Sequence, residues 1–574
     1  MHPLRLLPSL CVAVLACGHP SSTAAPGPED GIAAGWRYRG QARVTEAPAA
    51  MVVSGSPIAS AVGRDILRQG GNAVDAAVAV GFALAVVHPE AGNLGGGGFM
   101  VIRRADGTVR TLDYRETAPG GATRDMYLDS LGQPTERSVT GHLAAGVPGA
   151  VAGLTEAQAR LGRLPLQTVN APALRLASEG FVVDSFRSRS IAGDSDRLAL
   201  FPASRASFLP NGAPPAPGTT LRQPDLATTL EAIRDHGRDG FYGGRTAELI
   251  VAEMARGGGL ITAADLAGYR AIWRDPIQLS YRGYTIYSMP PASSGGVTMG
   301  EILNIMEGFR PLPPFGSPAL MHLEAEAMRR AFTDRNTFLG DPAFVHNPTE
   351  RLLSKDYAAG LRREIGPRAT PTPTFQPRPR TGSSTTHYSV VDAEGNAVSC
   401  TTTLNNSYGS AVTVTGAGFL LNDEMDDFAT APGQPNMYGL VQGEANAIAP
   451  GKRMLSAMTP SVVLDPGGRL LMVVGTPGGP RIITMVYHVI SNVIDHRMPL
   501  ARAIEAPRLH HQGLPDTLQV EGDGFPEPAL DSVRALGHAV SSRGHCGDVE
   551  GIIRTPGGWQ RVSDPRYGGG GAGY

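Results

Sequence analysis

The sequence predicts a protein of mixed helix and strand, and three observations carry that expectation. Two helices stand close together near the start of the structured chain, the second of them apolar on nearly every face. Two β-hairpins, at about 99–115 and 386–404, are separated by nearly half of the chain. Residues 145 to 365 read mainly as helices joined by polar loops.

In chain order, Ser56-Pro57 supplies an N-cap followed by proline at the first helical position. The helix from Pro57 to Gln69 stops at Gly70-Gly71. Asn72 caps the second helix, which runs Ala/Val-rich to about Val87, carries Asp75 and ends at His88-Pro89. Being apolar all round, it belongs in the interior, and it is too short to cross a membrane. Gly92 to Gly98 is glycine-rich but lacks the Lys-Ser/Thr of a phosphate-binding loop, so close backbone packing is the better reading. Phe99 to Arg103 and Val109 to Arg115 pair around the Asp106-Gly107 turn.

Residues 366–384 change character to a Pro/Thr/Arg stretch with little apolar content, which predicts a solvated, flexible linker. It feeds directly into the strand Thr386 to Val391, which turns at Asp392 to Asn396 and returns as Ala397 to Leu404. A linker running straight into a core strand suits a chain that is cut there, because the upstream end must move away to uncover the strand's first residue. A plain interdomain connection is the other reading.

Composition narrows the function classes. The chain has 574 residues, 42% hydrophobic and 18% charged, with a formal net charge of -2, which is ordinary globular composition. Lys355 and Lys452 are the only lysines, no dense basic run stands out, and no acidic tail is present. That balance argues against nucleic acid as the main partner.

At the start, Arg5 precedes an apolar stretch from Leu6 to Ala16, far shorter than the about 20 residues of a membrane span. It reads as a secretory signal over residues 1–17. Val14-Leu15-Ala16-Cys17 resembles a bacterial lipobox with Cys17 as the lipidated first mature residue; cleavage near Ala24-Ala25 is the alternative. Either way an exported, periplasmic protein is expected, membrane-anchored if Cys17 is lipidated. Residues 18–45, rich in Pro, Gly, Ser and Ala, read as a tether. Cys11 lies in the signal, which leaves Cys400 and Cys546 in the folded part, either as one disulfide or as two unpaired thiols.

The chemistry centres on Ser383-Ser384-Thr385-Thr386-His387-Tyr388. A threonine hydroxyl is a poor nucleophile until a base takes its proton, and an N-terminal threonine carries that base as its own α-amine. The same hydroxyl can first attack the preceding carbonyl, so that an acyl shift and hydrolysis release the new N-terminus. Alone, a Thr-Thr pair merely suits a strand.

The run Thr385-Thr386-His387-Tyr388-Ser389-Val390-Val391-Asp392, followed by Thr403-Leu404-Asn405, resembles the small-subunit start of the γ-glutamyltransferases. Gly70 to Ala77, Asp113-Tyr114-Arg115-Glu116, Leu421 to Phe428, Gly475-Thr476-Pro477-Gly478-Gly479 and Ser563-Asp564-Pro565-Arg566 extend the resemblance over nearly the whole chain from about Ala47. It implies an N-terminal nucleophile hydrolase with an αββα sandwich, a large subunit of residues 46–384 and a small catalytic subunit of residues 385–574.

By position, the resemblance makes Thr385 the nucleophile and Thr403 its hydrogen-bonding support, with the Gly478 and Gly479 N–H groups as oxyanion hole. Arg115 and Ser456 would take the α-carboxylate of a γ-glutamyl group, and Asn405, Glu424 and Asp427 its α-ammonium. On residue types alone, Arg115 is as readily an ion-pair partner of Glu116, and Glu424 to Asp427 a solvated acidic turn or a calcium loop. Pro432 to Gly439, with Tyr438, matches the lid loop of many bacterial members; taken alone it is a Pro/Gly surface loop. One position departs: where the family usually has Ser-Ser, this chain has Ser456-Ala457, and Ala457 offers no hydroxyl to the carboxylate.

The implied activity is γ-glutamyl transfer and glutathione hydrolysis, with donors such as glutathione, amino-acid or peptide acceptors, and neither metal nor organic cofactor. A glutaryl or cephalosporin acylase of the same family stays open through Ala457, as does an uncleaved envelope protein that binds amino-acid-like ligands. No G-x-S-x-G elbow, H-E-x-x-H or P-loop is present. His510-His511 resembles a metal pair, but adjacent strand residues point to opposite faces, and a structural role is expected.

Overall fold

In the computed structural model, which describes residues 30–371 and 385–574, helices cover both outer faces of two stacked seven-stranded sheets. This is the αββα sandwich that the family resemblance implies. The first sheet runs, edge to edge, Gly570–Gly573, Met51–Ser54, Thr385–Val391, Ala397–Thr403, Gly97–Arg103, Val109–Asp113 and Ile272–Arg274. The second runs Arg43–Ala47, Gly558–Ser563, Glu550–Thr555, Leu470–Val474, Ser461–Leu464, Tyr284–Ser288 and Ile277–Tyr281. Neighbouring strands in both sheets are antiparallel.

Side-chain alternation builds the layers. In Gly97–Arg103, Phe99 and Val101 pack between the sheets against Val462, Val473 and Ile552, while Met100 and Ile102 pack outward on the early helices. Those helices are Pro57–Arg68 and Ala73–Val87, close to the sequence reading. Every residue of Ala73–Val87 is buried, Asp75 included. Its carboxylate accepts Asn72 N–H at 2.7 Å, Gln158 Nε2 at 2.6 Å and Leu164 N–H at 3.1 Å, so the one charge on this helix is satisfied. The second sheet is covered by Gly295–Glu307, Pro318–Phe338 and Arg481–Ile494. The glycine-rich loop packs as expected: a Cβ on Gly96 would stand 2.1 Å from the Thr403 carbonyl oxygen.

Three expectations change, and one left open is decided. The tether read through residue 45 is docked from Asp30 onward: Ile32 and Trp36 are buried, and Trp36 Nε1 donates to Glu505 O at 2.7 Å. Arg43–Ala47 then pairs as an edge strand with Gly558–Ser563. Apolar anchors override the tether-like composition there.

The linker read from residue 366 is held through 371. Gly366 O accepts His322 Nε2 at 2.8 Å, Ala369 N–H donates to Leu536 O at 2.9 Å, and Thr370 N–H donates to Glu326 at 3.1 Å. Its remainder, 372–384, and the leader with Cys11 and Cys17 lie outside the described residues.

The helical reading of the middle missed Ile272–Arg274, Ile277–Tyr281 and Tyr284–Ser288, which complete both sheets. The last two are joined at Arg282-Gly283, both at positive φ (51° and 88°), a turn that the usual Asn-Gly signal does not reveal. Finally, Cys400 and Cys546 are two free thiols, not a disulfide: Cys400 is buried in its strand with Sγ 2.9 Å from Tyr114 Oη.

Candidate active site

Thr385 opens a central strand of the first sheet, between Met51–Ser54 and Ala397–Thr403, and its register partner is Thr403. The two hydroxyls are 3.1 Å apart. Thr403 Oγ1 also accepts Asn405 N–H at 2.8 Å. Asn405 has φ of 78°, a left-handed conformation that asparagine tolerates better than most residues. It is held there by Nδ2 donating to Asp423 O at 3.0 Å and by Tyr438 Oη donating to its Oδ1 at 2.8 Å.

Behind the threonines a polar layer ties the sheets together. His387 contacts Thr401 Oγ1 at 2.9 Å through Nδ1 and Ser389 Oγ at 3.0 Å through Nε2. Ser389 Oγ donates to Glu550 O across the interface at 3.1 Å. Burial pushes His387 down to about 3, so the ring is neutral at ordinary pH and positions the strand without adding charge.

The second sheet contributes Gly478 and Gly479, between the strand Leu470–Val474 and the helix Arg481–Ile494. Gly479 has φ of 58° and Gly478 of 144°, and a Cβ on Gly479 would come within 3.0 Å of the Tyr438 ring. Neither N–H has an acceptor among the described residues. Both precede the positive end of a 14-residue helix dipole.

Thr385 lines two cavities. The first has about 20 Å³ of free room and is walled by Arg115, Thr403, Asn405, Glu424, Asp427, Tyr438, Ser456, Ala457 and Gly479. Every expected site residue except Gly478 meets there. The second, about 190 Å³, lies toward Gly478, His88, Arg481 and Asp548.

The first cavity is charged. Arg115 follows the strand Val109–Asp113; its N–H donates to Asp113 Oδ1 at 3.0 Å and its carbonyl accepts Tyr269 Oη at 2.7 Å. Its guanidinium donates to Glu424, to Asp427 and, through Nε, to Met454 O at 3.2 Å, with Glu116 at 3.6 Å. Arg115 was expected to face a ligand's carboxylate while Glu424 and Asp427 faced its ammonium. Instead they pair with one another, which is how such opposite charges satisfy themselves in a buried place. Three carboxyls share this one guanidinium. Burial pushes Glu116 up to about 7, only partly offset by Arg115, and neither of its oxygens has a hydrogen-bond partner. Arg115 itself is held above its usual value: burial opposes its charge, and Glu424 and Asp427 outweigh burial.

Ser456 N–H donates to Ala292 O at 2.9 Å, and Ser456 O accepts Ser294 N–H at 2.8 Å and Ser294 Oγ at 2.6 Å. Ser456 Oγ accepts Met458 N–H at 3.1 Å, and the Ala457 side chain stands on the cavity wall. Tyr438, in the loop 432–439, lines the cavity. Met437 N–H donates to Asp426 Oδ2 at 3.0 Å, Gln512 Nε2 donates to Tyr438 O at 3.1 Å, and Tyr438 is 6% exposed, so the C-terminal half of this loop is anchored rather than a free surface segment.

Sequence reasoning missed Arg335, which lines the first cavity from the helix Pro318–Phe338. The signal was there: Met321, Ala325, Met328, Phe332 and Arg335 share the helix's buried face at three- and four-residue spacing. It also missed Asp548, which lines the second cavity and is pushed up by burial to about 8. His510 and His511 serve packing: His510 Nδ1 contacts Thr484 Oγ1 at 3.0 Å and His511 Nε2 contacts Asp516 at 3.2 Å.

Comparison with known proteins matches residues 59–574 to the family model described as gamma-glutamyltranspeptidase. The chain is 48% identical over 524 residues to the glutathione hydrolase proenzyme of Escherichia coli strain K12, covering 90% of each chain. It is 42% identical over 498 residues to the acylase ACY 1 proenzyme of Pseudomonas sp. strain SE83, covering 85% of this chain and 87% of that one. Among solved structures, a cephalosporin acylase from Bacillus halodurans superposes with a TM-score of 0.82 at 29% identity, over 93% of this chain and 97% of that one.

Proposed function

The chain belongs to the gamma-glutamyltranspeptidase family, and on that premise we propose that it is a precursor that cuts itself before Thr385 and then acts as a γ-glutamyltransferase and glutathione hydrolase. The observation that carries the reading is the position of Thr385. It is hydrogen-bonded to Thr403, near two backbone N–H groups that have no acceptor among the described residues, on the wall of a cavity lined by two guanidinium groups and two carboxylates.

In the first reaction the Thr385 hydroxyl attacks the carbonyl of residue 384. The peptide nitrogen leaves as the new α-amine, and water hydrolyses the ester. In the second, that amine takes the hydroxyl proton as Oγ1 attacks the γ-carbonyl of the donor. The Gly478 and Gly479 N–H groups receive the developing oxyanion. The proton passes to the departing amine, leaving a γ-glutamyl ester on Thr385. Water or the amine of an amino acid or peptide then takes the acyl group. No step calls on a metal or organic cofactor.

The charged wall supports an amino-acid head group on the acyl chain. An α-carboxylate would join Arg115 and Ser456, and an α-ammonium would join Glu424, Asp427 and Asn405, so the incoming zwitterion exchanges for contacts these side chains make with each other. A glutaryl acyl group carries the carboxylate without the ammonium and would leave Glu424 and Asp427 without a new partner. That favours γ-glutamyl donors over the acylase reading, as does the higher identity to the glutathione hydrolase. The leader reading of residues 1–17 adds export to the periplasm, with Cys17 as lipid anchor or cleavage near Ala24-Ala25.

Denaturing electrophoresis of purified protein tests the proposal. Two chains are expected, the smaller beginning at Thr385, with release of p-nitroaniline from γ-glutamyl-p-nitroanilide exceeding that from the glutaryl analogue. Thr385→Ala is expected to remain one chain and release none. A single uncut wild-type chain would leave only the binding-protein reading; faster glutaryl release would favour the acylase.

A further inference from the structure

We propose that Arg335 is a second guanidinium for the donor's α-carboxylate and so a determinant of donor specificity in this enzyme. The inference rests on the reading of the first cavity as the γ-glutamyl site.

Arg335 is 1% exposed and lines that cavity together with Thr385, Arg115 and Ala457. Its partners are neutral: Nε donates to Ser294 Oγ at 2.9 Å, and Nη1 to Asn336 Oδ1 at 2.8 Å and Gln442 Oε1 at 3.2 Å. Among the described residues Nη2 donates to no acceptor and Arg335 forms no ion pair. Arg115, by contrast, is already matched by Glu424 and Asp427. Burial lowers Arg335 only to about 10, with Asp427 acting on it from beyond ion-pair distance, so it stays charged at neutral pH. A buried cation without a counter-ion is costly and is normally paired. Here the group that completes it is an anion entering the cavity.

Geometry places that anion beside residue 457. Ser294 Oγ, which accepts from Arg335 Nε, itself donates to Ser456 O. The guanidinium is therefore fastened to the turn in which Ala457 stands where a second serine is usual. A planar fork binds both oxygens of a carboxylate, so Arg335 supplies the charge-assisted contact that the Ala457 methyl cannot.

The test compares wild type, Arg335→Met and Arg335→Lys as purified, self-processed protein. The substrates are the p-nitroanilides of γ-glutamate, glutarate and 4-aminobutyrate; the last has the ammonium without the carboxylate. Arg335→Met is expected to lower kcat/KM at least 20-fold for the two carboxylate-bearing substrates, mainly through KM, and less than threefold for the 4-aminobutyryl one. Arg335→Lys should restore part of the loss. Equal losses on all three substrates would overturn the inference and make Arg335 a packing residue.

If the methionine variant does not accumulate as two chains, Arg335→Lys decides: a rise in KM confined to the carboxylate-bearing substrates upholds the inference, and unchanged kinetics overturns it. Wild type that fails on γ-glutamyl-p-nitroanilide would sink the proposed function itself, before any variant is compared.

Discussion

Replacing Ala457 with serine restores the hydroxyl that the cavity wall lacks, and the gain can be bounded. Ala457 lines a cavity with about 20 Å³ free, on the order of the room one water needs. A hydrogen bond to a charged group contributes about 1.5–3 kcal/mol. Part of that is already realised if a water fills the room, since a bridging water bonds nearly as well and costs at most about 2 kcal/mol to immobilise. The net gain is then about 1–2 kcal/mol, or roughly 5- to 30-fold in kcat/KM for a carboxylate-bearing donor. Initial rates of p-nitroaniline release over a range of γ-glutamyl-p-nitroanilide would show it as a lower KM with kcat little changed. A KM within twofold of wild type, or a higher one, would refute the claim that residue 457 faces the donor's carboxylate.

Tyr438→Phe keeps the ring against Gly479 and loses the bonds to Asn405 O at 3.0 Å and Oδ1 at 2.8 Å. A loss of about 1 kcal/mol, roughly fivefold in kcat/KM, is expected together with faster proteolytic nicking of the 432–439 loop; unchanged nicking would show the hydroxyl is not what anchors it. Glu324 is pushed up to about 8 by burial, with Tyr487 Oη donating to it at 3.2 Å. The folded form keeps a proton that the unfolded chain loses above about 4.5, so this group's contribution is full below that pH and lost as pH rises toward 8. His488, 3.8 Å away and pushed down to about 3 by burial, works the other way: its contribution is present above about 6.5 and lost as pH falls. Glu324→Gln should flatten the fall in melting temperature between pH 5 and 8.5; an unchanged slope would rule the carboxyl out as its source.

The site was legible through the family resemblance, and local chemistry supported only part of it. Thr385, Thr403 and Asn405 sit on one hairpin and its exit, and hairpin register follows from alternation and the turn. The capped helices were legible for the same reason, since Asn72 and Pro57 act within one turn. What stayed hidden depends on distant packing. The docking of Trp36 on Glu505 leaves no local trace, whereas Ile277–Tyr281 does carry the apolar/polar alternation of a strand and was overlooked because the Arg282-Gly283 turn after it lacks the usual hairpin signal. Arg335 was not hidden but overlooked: an arginine on a helix reads as surface unless the apolar spacing of Met321, Ala325, Met328 and Phe332 on its face is followed through to it. The mutual pairing of Arg115 with Glu424 and Asp427 was invisible because residue types give affinities for a ligand but not what the groups do without one.

The strand order of the first sheet has a consequence for what a cut before Thr385 would leave behind. Reading across it, Gly570–Gly573 would belong to the small chain, Met51–Ser54 to the large, the next two strands to the small and the last three to the large. Two polypeptides shuffled through one sheet in this way cannot trade partners, because parting them means tearing out hydrogen-bonded strands from the middle of the core. Each molecule would therefore mature once and remain tied to its own other half. Mixing self-processed enzyme altered at Arg115, in the large chain, with self-processed enzyme altered at Asp427, in the small chain, should not regenerate unaltered sites by exchange of chains.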